Sequence, residues 1–222
     1  MADFPFEPAD HALAARLAAC VDVEGKIPRA LAALGPVAGR DVALIDGGGG
    51  LRARQLAELG ARVTVVTGPD VVPTAGLDLP VVTGTSTALG LADAVADVIV
   101  SCWSAFRGPS PREVAEADRA LRPDGRLLVV HDYGRDDVSR LRGDLPEYGT
   151  WGRRNGWFLT NGFRIRVIHC FWTFGSMEEM QAFLVDAFGE NGEAVAATLQ
   201  RPRLSYNVAV YHRSRGGIAP SA

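Results

Sequence analysis

Lysine is almost missing from this chain: Lys26 is the only one among 23 basic residues, so arginine supplies nearly all the positive charge. Two readings fit that bias. Guanidinium groups suit phosphate and carboxylate recognition, and the abundant Ala, Gly and Val also point to a genome of biased base composition. Cysteine is equally sparse. Cys20, Cys102 and Cys170 are far apart, odd in number and without a CxxC pair. That excludes a disulfide framework and a cysteine-built metal site, and each reads as a small buried hydrophobe in a reducing compartment. A basic surplus is missing too. There are 26 acids against 23 bases, a net charge of -3, which argues against nucleic acid as a partner. No apolar run approaches the ~20 residues that span a bilayer, and no basic stretch followed by an apolar one opens the sequence. We therefore expect a cytoplasmic protein with no membrane contact.

What is present is enough for a core. Hydrophobic residues make up 47% and charged residues 22% of 222, an ordinary globular balance, and the length allows one domain or two small ones. Glycine is in excess, 25 residues, four of them consecutive from Gly47 to Gly50.

The pattern along the chain alternates. Residues 9–20 carry Leu13 and Leu17 at helical spacing, with Val21 next in the series, and Pro28–Leu34 fits a short helix with Gly35 at its end. Val42–Ile45, Val63–Val66, Val98–Val100 and Leu127–Val130 are continuous apolar runs of strand type, the last following the turn Arg122-Pro123-Asp124-Gly125. Leu51–Leu59 and Pro111–Leu121 read as helices between them. Strands alternating with helices imply a parallel sheet buried on both faces. Further on, Tyr148–Asn161 reads as an amphipathic helix or a loop. Ile165–Trp172 and Tyr206–Tyr211 read as strands. Ser176 and Glu179 have capping-box spacing ahead of a helix with Met177, Met180, Phe183 and Leu184 on its apolar face.

The glycine run joins the strand Val42–Ile45 to a helix. Such a turn aims free N–H groups and the helix dipole at a ligand, and glycine lets that ligand approach the backbone. Gly48-x-Gly50-x-x-Ala53 fits a dinucleotide fingerprint, but that fingerprint expects an acid about 20 residues on. Thr67 stands there, with no acid before Asp70.

Four segments, in order, resemble class I S-adenosylmethionine-dependent methyltransferases of the type 11-like kind. They are Val42–Gly50, Gly60–Val65, Ala96–Trp103 and the helix–turn–strand signature Ala120–Val129. The resemblance implies a Rossmann-like α/β fold with a mostly parallel seven-stranded sheet and helices on both faces. It implies one domain over 1–215, with an N-terminal helical segment (1–39) able to lid the pocket, a cofactor-binding half (40–135), a substrate-side half (136–215) and a flexible tail (216–222). The cofactor implied is S-adenosyl-L-methionine and the partner a small-molecule acceptor. The resemblance assigns Asp46, Gly47, Gly48, Gly49, Gly50, Thr67, Gly68, Thr85, Ser86, Ser101 and Cys102 to the cofactor.

The usual acids are replaced. With Gly50 as the last glycine of the motif, Leu44 stands where the first acid belongs. Thr67 and Thr85 stand where the second and third belong. Sliding the register by two makes Asp46 the first acid but stretches the helix match. A carboxylate accepts from two ribose hydroxyls at once, which a threonine cannot match. The site is then weakened, reorganised around Asp46 and Asp70, or given to another ligand. A non-catalytic protein that binds a nucleotide-like ligand or a partner is the alternative function.

Methyl transfer mostly requires positioning. His131, Asp132 and Tyr133 follow the fourth apolar run. His131 suits a general base, or a packed strand end. Trp103, His131 and Tyr133 are candidates for the substrate pocket. His169-Cys170 alternate across a strand and form no nucleophile pair. No spacing of His, Cys and Asp suggests a metal. Arg153-Arg154 and Arg201-Pro202-Arg203 read as solvated faces, or as contacts to an anionic substrate.

Overall fold

The computed structural model describes residues 11–45, 50–69, 78–108, 110–143 and 145–217. Asp46, Gly47, Gly48, Gly49, Asp70 and residues 218–222 of the expected tail lie outside the described residues.

The chain opens with α1 (His11–Cys20) and α2 (Lys26–Leu34), then alternates through β1 (Asp41–Ile45), α3 (Leu51–Glu58), β2 (Arg62–Thr67), β3 (Val81–Thr83), β4 (Ala96–Cys102), α4 (Pro111–Ala120) and β5 (Leu121–Asp132). It ends with α5 (Asp137–Arg142), α6 (Trp157–Thr160), β6 (Arg164–Thr173), α7 (Met177–Ala196) and β7 (Arg203–Ser214). The seven strands form one sheet in the order β3-β2-β1-β4-β5-β7-β6. The first five pair in parallel, while β7 runs antiparallel to both β5 and β6. This is the mostly parallel, Rossmann-like sheet that the resemblance implies.

The continuous apolar runs have a physical cause. Successive strand residues point to opposite faces, and both faces are covered. Val42 and Leu44 of β1, Val98 and Val100 of β4, and Leu128 and Val130 of β5 face the core under Leu17, Leu31, Leu56 and Phe183. Their neighbours Ala43, Ile45, Ile99, Leu127 and Val129 face the core under Ala117 and Phe158. Residues 11–20, offered by the sequence as part of a lid, pack against α7 and β6, and β6 is the sheet edge opposite β3.

Three local expectations change. The turn Arg122–Gly125 is an excursion inside β5: Leu121 still pairs with Ala96, and pairing resumes at Arg126 opposite Val98. Ion pairs from Arg122 to Asp97 (2.7 Å) and Asp41 (2.8 Å) pin it. Glu179 closes its cap one residue early, accepting from the Gly175 N–H at 2.8 Å while Ser176 Oγ accepts from the Glu179 N–H. Tyr148–Asn161 is a run of turns ending in the single-turn helix α6.

Helix α4 has a full capping box. Ser110 Oγ accepts from the Glu113 N–H, and the Glu113 carboxylate accepts from the N–H groups of Ser110 (2.7 Å) and Phe106 (3.3 Å). The cap therefore also holds the loop after β4. The Ser110→Ala variant should lose about 1 kcal/mol, a fall in Tm of roughly 2–4 °C, readable by calorimetry.

Candidate functional site

The carboxyl ends of β1, β4 and β5 lie side by side, and in an open parallel sheet ligands bind at that edge. Gly50 ends the glycine run with φ 72°, a left-handed conformation that disfavours any residue with a Cβ. Among the described residues no side chain caps the N-terminus of α3, so its first N–H groups have no side-chain acceptor there.

Arg52, two residues into that helix, is 4% exposed. Its guanidinium donates to Gln55 Oε1 at 2.6 Å and lies 5.3 Å over the Trp103 ring. Among the described residues it has no carboxylate partner. Arg52 was missed in the sequence because a charge broke the apolar pattern of α3. The signal was its spacing with Leu56 and Leu59, which puts it on the core-facing side.

Trp103 follows β4 with φ 49°. Its N–H donates to the Val130 carbonyl at 2.9 Å, and its indole Nε1–H donates to Asp132 Oδ1 at 2.8 Å. Asp132 ends β5 and is 2% exposed. The same oxygen accepts from the Tyr206 hydroxyl at 2.7 Å, and Oδ2 accepts from Arg142 and, at 3.4 Å, from the Tyr148 hydroxyl. Four donors thus saturate Asp132. Burial, and then the Asp132 charge, push the Tyr148 and Tyr206 phenols above their ordinary range.

The remaining expected site residues divide. Thr67 ends β2 and is buried, with its carbonyl accepting from the Gly84 N–H at 2.8 Å. Thr85 and Ser86 begin a tight turn closed by reciprocal bonds between Thr85 and Ala88, and Thr85 is exposed. Gly84 makes that turn possible, because a Cβ there would sit 2.4 Å from the Leu89 carbonyl oxygen. Ser101 and Cys102 are wholly buried, and Ser101 Oγ accepts from the Ala105 N–H at 3.1 Å. Of the three pocket candidates, Trp103 and His131 are buried, and Tyr133 lines a cavity. That cavity, about 110 Å³, is also lined by Arg135, Glu147, Gly149, Gly152 and Arg153.

His131 sits in the core instead of on a pocket wall. It is 0% exposed, its ring packs edge-on to Trp151 at 4.8 Å, and Nε2 lies 3.2 Å from the Phe106 carbonyl oxygen. Burial, reinforced by Arg107, pushes its pKa down to about 3, so the ring is neutral at pH 7. An unfolded histidine titrates near 6.5. Between those values the unfolded chain binds more protons, so His131 costs stability as pH falls below about 6.5. The His131→Phe variant should therefore lose less stability than the natural chain from pH 6.5 to 4.5. The difference should be about 2 kcal/mol by urea unfolding.

No group of three His, Cys, Asp or Glu residues among the described residues is arranged to hold a metal ion. No helix among them is long and apolar enough to cross a membrane.

Residues 45–129, from the end of β1 into β5, match the sequence model of a family described as Methyltransferase domain. No curated protein sequence matches. Among solved structures, a proposed type II methyltransferase from Anaeromyxobacter dehalogenans is 21% identical with a TM-score of 0.57, over 83% of this chain and 94% of that one. A SAM-dependent methyltransferase from Aquifex aeolicus is 17% identical with a TM-score of 0.54, over 94% and 98%. A proposed methyltransferase from an antibiotic biosynthesis pathway of Anabaena variabilis is 16% identical with a TM-score of 0.56, over 87% and 98%. Residues 45–129 thus match a methyltransferase domain in sequence, and the chain shares its fold with these methyltransferase structures.

Proposed function

We propose that the chain transfers a methyl group from S-adenosyl-L-methionine to a small-molecule acceptor. The observation that carries this reading is the family match over residues 45–129, which runs through Gly50 and the strand ends around it. The donor supplies an electrophilic methyl group on a sulfonium ion. The residues at this edge fit the amino-acid end of such a molecule. The uncapped N-terminus of α3 offers N–H donors, and Arg52 offers a buried guanidinium with no carboxylate partner among the described residues. Both suit a carboxylate. Toward the ribose, Thr67 and Thr85 would supply hydroxyls in place of carboxylates. Ser101 and Cys102 would underlie the donor from within β4, and Gly68 and Ser86 would border it.

Chemistry on the acceptor then rests on positioning. Asp132 already holds four donors and His131 is sealed in the core, so neither is placed to take a proton from an incoming molecule. An acceptor that is already a nucleophile at neutral pH fits this edge best.

The second reading, a non-catalytic protein of the same fold, draws on Leu44. It is 0% exposed, with no charge at the position of the first acid. Calorimetric titration with S-adenosylhomocysteine separates the two. The proposal expects saturable binding, weakened roughly ten- to a hundredfold in Arg52→Ala by loss of a charge-assisted bond, and tightened in Thr67→Asp. No saturation at millimolar concentration contradicts it.

A further inference from the structure

Glu147 is buried, 1% of its side chain exposed, yet the proposed methyl donor has no use for it. One carboxylate oxygen, Oε1, pairs with Arg107 of the loop after β4, and the other, Oε2, has no hydrogen-bond partner among the described residues. An unpaired buried polar oxygen is costly and is rarely left so in a folded protein. Burial pushes the carboxyl above its ordinary range, against the pull of its own backbone N–H and Arg107.

The residue lines the cavity at the end of β5 together with Tyr133, Arg135 and Arg153. Both arginines bring their guanidinium to its walls. That of Arg153 lies beside Gly149, 3.8 Å from where a Cβ would stand. That of Arg135 lies 6.0 Å over the Tyr133 ring, on a backbone with φ 60°. Gly152 keeps the floor open, since a Cβ there would already touch the Tyr133 ring at 3.4 Å.

We infer that this cavity binds a small anion bearing a hydroxyl group. The anion faces Arg135 and Arg153, and the hydroxyl donates to Glu147 Oε2. The charge balance selects the anion: Arg107 pairs with Glu147 and Arg142 with Asp132, which leaves Arg135 and Arg153 as the surplus charge at the cavity. It also selects a neutral donor, because an ammonium would add a further cation beside the guanidiniums of Arg135 and Arg153. The volume, about 110 Å³, takes only part of a probe such as glycerol 3-phosphate, and the remainder reaches solvent past the exposed Arg135 and Arg153. The lining includes none of the residues assigned to the methyl donor and shares Tyr133 with the candidates for the substrate pocket.

The test uses the full chain without methyl donor, so its result is independent of the S-adenosylhomocysteine titration. Three probes are titrated by calorimetry: glycerol 3-phosphate, inorganic phosphate and glycerol. Glycerol 3-phosphate should bind roughly tenfold more tightly than phosphate, and glycerol should not saturate. Arg153→Ala, at an exposed position, should weaken both phosphates by a similar factor. Glu147→Gln should erase the advantage of glycerol 3-phosphate over phosphate. Should that variant unfold, Arg153→Ala and the probe series still decide. Equal affinity for the two phosphates, indifference to Arg153→Ala, or no binding below about ten millimolar overturns the inference.

Discussion

The buried carboxylate of Asp132 organises the carboxyl edge of the sheet. Its four donors come from four different segments: Trp103 after β4, Arg142 in α5, Tyr148 in the turns beyond it and Tyr206 in β7. Taking such a charge out of water costs several kcal/mol unless every lone pair is used. The chain uses them all, so the four segments have one arrangement that satisfies the group. Two consequences reach the site. Trp103 is held where its ring lies under the Arg52 guanidinium. Tyr148 is drawn against Gly134, whose φ of 83° and missing Cβ leave room for its ring, and this sets the place of Glu147 one residue before.

The sheet beneath that edge is ordinary physics, and the edge is where it departs. Between the strands, apolar residues alternate into two cores. At the strand ends, charge and strain collect. Arg52, Asp132 and Glu147 are buried ions, and Trp103 and Arg135 hold left-handed backbones without being glycine. Strain and buried charge persist only where surrounding structure enforces them, and they gather at functional sites. Their concentration at the ligand-binding edge of the fold agrees with the family match over residues 45–129.

Much of the fold was legible in the sequence because burial on both faces writes strands as continuous apolar runs. Val42–Ile45, Val63–Val66 and Val98–Val100 all lie within observed strands. The excursion at Arg122–Gly125 was read as a plain turn because its anchors, Asp41 and Asp97, lie far away in sequence. The same limit hid the site's framework. Asp132 meets Trp103 and Tyr206 across separations of 29 and 74 residues, and no local pattern announces such a contact. His131 was offered as a base from its place at a strand end. Its burial depends on Trp151 from a turn and Phe158 from the single-turn helix α6, segments that carry no periodic signal. Leu44, Thr67 and Thr85, where the resemblance expects acids, were visible at once, whereas Arg52 became meaningful only when its guanidinium was seen over Trp103.

The central claim is that the edge above Gly50 holds the methyl donor by its amino-acid end. A crystal structure of the chain with S-adenosylhomocysteine tests it most directly. The ligand's carboxylate should lie against the first turn of α3 and the Arg52 guanidinium, with the ribose toward Thr67. A ligand seated elsewhere, or Arg52 still turned away from a bound carboxylate, would contradict it.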